Sequence, residues 1–169
     1  DPVGRSMEIP LGRLEVARLR AAVAQVVQRH EILRTSFSSL QGMTIPLQVI
    51  HDNGHFKFIE RSANESIERL WNEARQADLQ QLEISLVALA EDKHLLLVSL
   101  PAIHADADGL RNLVADISRC YDTATRGEAL DDEVLQYADV SEWQNELLHA
   151  ENREAGRLHW ARQDFSSLA

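Results

Sequence analysis

The alternation of apolar and polar positions divides the chain into regular elements. Met7-Glu8-Ile9-Pro10-Leu11 reads as a short strand, and Pro10 confines it to an edge or an end. Leu14, Val16, Leu19, Ala22, Val23, Val26 and Val27 then recur at helical spacing through Arg29, with Arg18, Arg20, Gln25 and Gln28 filling much of the opposite face. The stretch Arg29–Phe37 closes this helix and passes into an extended segment. Gln41-Gly42 is a turn, Ile45–Ile50 alternates as a strand weakened by Pro46, Asp52-Asn53-Gly54 turns the chain again, and His55–Glu60 alternates once more. A helix is predicted from about Asn64 to Gln76, with Ile67, Leu70, Trp71 and Ala74 on one face.

Ile84–Leu89 and His94–Leu100, joined by Glu91-Asp92-Lys93, predict an antiparallel hairpin. The second strand is almost continuously apolar, which places it in the middle of a sheet. It runs into Ser99–Leu110, and the helical pattern Leu110, Leu113, Val114, Ile117, Tyr121 leads out. Thr123–Asp132 is a polar connection. Asp139-Val140-Ser141-Glu142 has the spacing of a capping box, predicting a long polar helix through Trp143, Leu147 and Leu148 toward Trp160. Trp143 and Trp160 are expected to pack helices. The order β-α-β-β-α-β-β-α-α makes the fold class α/β, with a mixed, mostly antiparallel sheet covered by helices.

Composition narrows the function. The 169 residues are enough for one domain with a real core, and 44% apolar with 26% charged residues is the balance of a globular chain. No apolar run reaches the ~20 residues that a membrane helix needs. Asp1-Pro2-Val3-Gly4-Arg5 is neither basic nor followed by an apolar stretch, so no signal peptide is expected. The first residue is not Met, which fits a fragment, a processed product or a trimmed chain. With 17 basic against 27 acidic residues, the formal charge of −10 speaks against nucleic-acid or anionic-membrane partners. Cys120 is the single cysteine, so a reducing, cytoplasmic setting is expected.

Chemistry concentrates at the junction from Ser99 to Leu110. A strand-to-helix junction exposes side chains and free backbone N–H groups. His104 carries an imidazole able to move a proton near neutral pH. Asp108 is placed to cap the helix, and Gly109 allows close backbone approach. These residues fit either a reactive site or a helix cap beside a half-buried histidine. His51 and His55 flank a turn and are too few for a typical zinc site, so no metal is expected. No Gly-rich phosphate loop and no Gly-x-Ser-x-Gly elbow is present.

Four segments carry a resemblance. Arg29-His30-Glu31-Ile32-Leu33-Arg34-Thr35-Ser36-Phe37 resembles the RHExLRTxF motif of nonribosomal peptide synthetase condensation domains. Asp78-Leu79 stands where that family has FDL, and Ile103–Gly109 aligns with its HHxxxDG. Gln136–Gln144 resembles its QYxDFxxWQ segment. The segments follow family order and cover most of the chain. The resemblance implies a lobe like chloramphenicol acetyltransferase. Residues 1–169 would be the N-terminal lobe of a two-lobed domain, with the second lobe absent from this chain. It also implies amide or ester bond formation between acyl and aminoacyl thioesters on the phosphopantetheine arms of carrier proteins. The expected partners are carrier domains, a second condensation lobe and an adenylation domain, and the lobe itself binds no cofactor.

Carried over residue by residue, the resemblance makes His104 the group tied to chemistry. Asp108 becomes a structural residue in a salt bridge, with Arg34 as its candidate partner. Gly109 brings a backbone N–H near the developing oxyanion. Thioester aminolysis needs such parts, since nitrogen must lose a proton and the tetrahedral oxyanion needs a donor. Two departures stand out. Ile103 replaces the first motif histidine, which also excludes the DxxxxD pattern of heterocyclisation domains. The FDLxxGPLxR segment is reduced to Ala77–Leu86, without its Phe, Gly, Pro and Arg. The expected function is therefore a condensation-type acyltransferase with an altered motif. The alternative is a catalytically degenerate lobe that serves as a docking or scaffold module in an assembly line.

Overall fold

The computed structural model describes residues 4–11, 14–42, 45–62, 66–76, 79–126, 133–149 and 154–163. The chain forms two compact units, Asp1–Val134 and Leu135–Ala169. In the first, β1 (Gly4–Leu11) leads to α1 (Val16–Arg29), and a single 3-10 turn, Glu31–Arg34, passes into β2 (Thr35–Ser38). There follow β3 (Leu47–Ile50), β4 (Phe56–Arg61), α2 (Ile67–Gln76), β5 (Leu82–Ala90), β6 (Lys93–Pro101) and α3 (Ala107–Arg126). The second unit contains α4 (Tyr137–His149) and α5 (Glu154–Ala161).

The main sheet has the order β1-β6-β5-β4. β6 pairs antiparallel with β1 and with β5, so the most apolar strand is interior. β4 runs parallel to β5 because α2 forms the crossover between them. β2 and β3 form a separate antiparallel pair, turned through Gln41-Gly42, where Gly42 takes a φ of +89° that a side chain would resist.

Strand alternation sends residues to two cores. Leu82, Ile84 and Leu86 of β5 and Leu96, Val98 and Leu100 of β6 meet Val23, Val26 and Val27 of α1 and Leu110, Leu113 and Ile117 of α3. The intervening Val87, Leu95 and Leu97 face Leu70 on the other side of the sheet, with Ile67, Trp71 and Ala74 of α2 packed around them. Helices on both faces explain why β6 carries no polar alternation. Burying one such side chain contributes roughly 1.5–3 kcal/mol, so these clusters dominate the stability of the unit.

Polar contacts fix α1 within this arrangement. Its first free donor, the Glu15 backbone N–H, donates to the Tyr121 hydroxyl of α3 at 2.9 Å. At its other end His30 Nε2 meets Asp116 Oδ2 of α3 at 2.8 Å. Arg20 lies over the Phe58 ring of β4, 4.3 Å from its centroid, and pairs with Glu60 at 3.3 Å.

Several expected elements change. β1 starts three residues earlier than expected, at Gly4, and Pro10 sits in an edge strand as its missing N–H requires. The helix after the junction continues to Arg126, through the Thr123–Arg126 part of the expected connection, because the Thr123 hydroxyl returns to the Arg119 carbonyl instead of capping an end. The expected long C-terminal helix is described as α4 and α5, and residues 150–153 between them lie outside the described residues. Asp139 lies within the first turn of α4, where the Val140 N–H donates to the Gln136 carbonyl, so it does not cap the helix. Trp143 and Trp160 are exposed, and Trp160 meets the His159 ring edge-on at 5.4 Å. Asp78, the N-terminal residues 1–3 and the connection 127–132 lie outside the described residues.

Candidate active site

The junction between β6 and α3 is a compact turn. The His104 backbone N–H donates to the Pro101 carbonyl at 3.0 Å, which folds the chain sharply after the strand. Asp106 begins the helix: its Oδ1 accepts from the Gly109 N–H at 2.7 Å, and its carbonyl accepts from the Leu110 N–H at 3.0 Å. This is N-cap geometry. A Cβ at position 109 would lie 3.0 Å from the Ala105 Cβ and 3.3 Å from Asp106 Oδ1, so the turn closes around a glycine.

His104 lines a cleft of about 270 Å³. Its walls are Thr35, Ser36 and Phe37 of β2, Leu79 and Gln80 before β5, and Pro101, Ala102 and Ile103 of the junction. The imidazole is half-buried, and this burial pushes its pKa below the ordinary 6.5, while a backbone hydrogen bond with Thr35 opposes part of the effect. Nδ1 is buried and makes no hydrogen bond of normal geometry with any described residue. The Phe37 ring lies 6.0 Å from the imidazole, centroid to centroid, tilted by 37°. Ile103 points outward beside the cleft with 61% of its surface exposed.

β2 is held firmly as the opposite wall. The Thr35 hydroxyl donates to the Glu31 carbonyl at 2.7 Å, and Thr35 is buried. Arg34 Nη1 donates to the His51 carbonyl at 2.5 Å, while the His51 N–H donates to the Arg34 carbonyl at 3.0 Å. The Ser36 hydroxyl meets His51 Nε2 at 2.8 Å. A second cleft, of about 350 Å³, lies along this side and shares Thr35, Ser36 and Gln80 with the first.

The structure brings His104 to a cleft but separates the residues expected to support it. Asp108 does not reach Arg34. It stands exposed in the first turn of α3 and pairs with Arg111 one turn on, while Arg34 pairs with Glu31. The capping role expected of Asp108 belongs to Asp106, because α3 begins at Ala107 and only a residue before it can cap. The Gly109 N–H is already donated to that cap, so it does not point free toward a substrate. Thr35, Phe37, Leu79 and Pro101 were not assigned to the site from sequence. The motif-like stretch ending in Arg34-Thr35-Ser36-Phe37 was the signal that could have found the first two.

A family model described as Condensation domain matches residues 7–168. The chain belongs to the condensation domain family. This condensation chain is 32% identical to gramicidin S synthase 2 of Brevibacillus brevis over 170 residues, covering 95% of itself and 4% of that synthase. It is also 32% identical to tyrocidine synthase 3 of Brevibacillus parabrevis, covering 88% of itself and 2% of that protein. The fold is that of the condensation domain from the monacolin K polyketide synthase MokA, at a TM-score of 0.78 and 23% identity, with 94% of this chain and 37% of that one covered. The X-domain solved in complex with OxyB from teicoplanin biosynthesis has a TM-score of 0.71 and 32% identity, over 90% of this chain and 35% of the solved one.

Proposed function

We propose that the chain is the N-terminal lobe of a condensation domain that forms amide or ester bonds between carrier-bound thioesters. The observation that carries this reading is a half-buried His104 with lowered proton affinity, lining a cleft between β2 and the β6–α3 junction. Coverage of 37% of the solved MokA chain and 35% of the solved X-domain chain supports assignment to one lobe of a larger domain. The cleft would be completed by a second lobe, with substrates delivered on phosphopantetheine arms and an adenylation domain alongside. A cytoplasmic location fits this reading, and no helix among the described residues is long and apolar enough to cross a membrane.

The chemistry follows from the imidazole. An amine attacks the thioester carbonyl, the new C–N bond forms, and the C–S bond breaks as thiolate leaves. The nitrogen loses a proton in the process, and a neutral His104 accepts it and returns it to the departing sulfur. Burial keeps the ring neutral near pH 7, so its lone pair is available. Carrier delivery supplies the proximity, which leaves little else for the lobe to provide. The other hydrogen-bonding side chains on the cleft are Thr35, Ser36 and Gln80.

A second reading is a docking module without chemistry. The likeness to an X-domain solved in complex with another protein supports it, as does the apolar Ile103 at the first motif position. A condensation assay on the domain with both lobes separates the two. His104→Ala is expected to slow product formation by about 10²–10⁴-fold, the usual contribution of a positioned acid–base group. Unchanged product formation in the variant removes His104 from the mechanism. Absence of product from the unsubstituted domain with several carrier-bound donors leaves the docking reading.

A further inference from the structure

The cleft wall opposite His104 is aromatic, and nothing in the proposed chemistry assigns it a part. Thr35 and Phe37 are two apart on β2 and therefore share a face, while Ser36 points the other way toward His51. Thr35 is buried and tied to the Glu31 carbonyl, so the strand that carries Phe37 is fixed at its base. Pairing with β3, in which Phe37 stands opposite Gln48, fixes it along its length. The ring that results lies 6.0 Å from the imidazole and is tilted against it. His104 itself hangs from a short turn, and a backbone hydrogen bond with Thr35 holds one edge of the ring. Histidines at work are commonly oriented through the second ring nitrogen. Here the β2 backbone at Thr35 supplies such a bond, and the ring two residues along the strand lies beside the imidazole.

We propose that Phe37 is a positioning residue for His104: its ring closes one side of the imidazole, excludes water there and fixes the plane from which the imidazole meets substrate. The inference rests on the proposed function for its use in the reaction, but the packing it describes does not. Nearby charges do not substitute for the ring. Of the described residues lining the cleft, His104 is the only one that titrates near neutral pH. Asp106 is engaged by the Gly109 N–H and Asp108 by Arg111. Arg34, before Thr35, is engaged by Glu31, and His51 by Ser36. On the strand after Leu79 and Gln80, Glu83 is paired with Lys57.

The test is a histidine NMR titration alongside a condensation pH profile, with His104→Ala identifying the resonance. Burial lowers the His104 midpoint, so opening that side to water raises it. Phe37→Ala is expected to move it up toward the ordinary 6.5. The acid limb of the rate profile, which requires neutral imidazole, should rise with it, and the rate at its plateau should fall about 10-fold or more from lost alignment. Phe37→Tyr keeps the ring and is expected to restore both. Should Phe37→Ala not fold, Phe37→Leu retains apolar bulk without the ring, and a plateau rate reduced several-fold with native circular dichroism supports the proposal. An unmoved midpoint with an unmoved profile in Phe37→Ala, or native behaviour in Phe37→Leu, overturns it. A midpoint that moves while the condensation rate does not keeps Phe37 as the wall that orients His104, and refutes the use of His104 in the reaction.

Discussion

Two aspartates two residues apart divide the labour at the junction. Asp106 caps α3, and Asp108 sits one step inside it, paired with Arg111 in solvent. From the sequence, Asp108 stands just before the helical pattern that begins at Leu110, and either aspartate satisfies the cap preference while helix starts shift easily by one or two residues. The consequence is measurable. Asp106→Ala is expected to lower the unfolding free energy by about 1 kcal/mol through loss of the cap. Asp108→Ala should change it by less than about 0.5 kcal/mol, as for other exposed ion pairs. Chemical denaturation of both variants checks the assignment, and the reverse ranking would return the structural role to Asp108. His104 itself was legible, since a histidine between an apolar strand and a helical pattern stands out. Its wall was not, because a strand of four residues, Thr35–Ser38, gives too short an alternation to show which face is inward.

At the level of elements, helices and strands with strong periodicity were readable and their ends were not. α1 and the β5–β6 hairpin follow directly from their apolar spacing. α3 runs on to Arg126 through Thr123, whose hydroxyl bonds back to the Arg119 carbonyl, and the parallel β4–β5 pairing depends on where α2 lands. Neither leaves a local signature. The contact between His30 and Asp116 belongs here as well, since it joins the end of α1 to the middle of α3 across 86 residues of sequence. His30 falls in a motif-like stretch and invites a chemical reading, yet its partner makes it a clamp between helices. Loss of this partly buried bond should cost about 1–2 kcal/mol in Asp116→Ala or His30→Ala. The double variant should cost clearly less than the sum, because each single change already breaks the same contact. Strict additivity in the thermodynamic cycle would show the pair to be uncoupled.

For the molecule as a whole, all buried apolar side chains among the described residues fall between Leu19 and Cys120, inside the first compact unit. That unit has a two-sided sheet with helices on each face, which is sufficient for independent folding at its size. A chain limited to residues 1–134 is therefore expected to unfold in one cooperative thermal transition, with matching near- and far-ultraviolet circular dichroism. A broad transition without near-ultraviolet signal would show that residues 135–169 are needed for specific packing.

The order of strands also bears on when the site comes into being during folding. β5 and β6 are joined by a two-residue turn and can pair early. β1 pairs with the other edge of β6 across about ninety residues of chain, a contact whose closure entropy delays it. The junction that bears His104 grows from the end of β6, so its geometry is bracketed by the quickest and the slowest pairings of the sheet. An intermediate holding the hairpin but lacking β1 would present the histidine before its supporting strand is locked, and mutations in β1 would then delay the appearance of the site more than that of the helices.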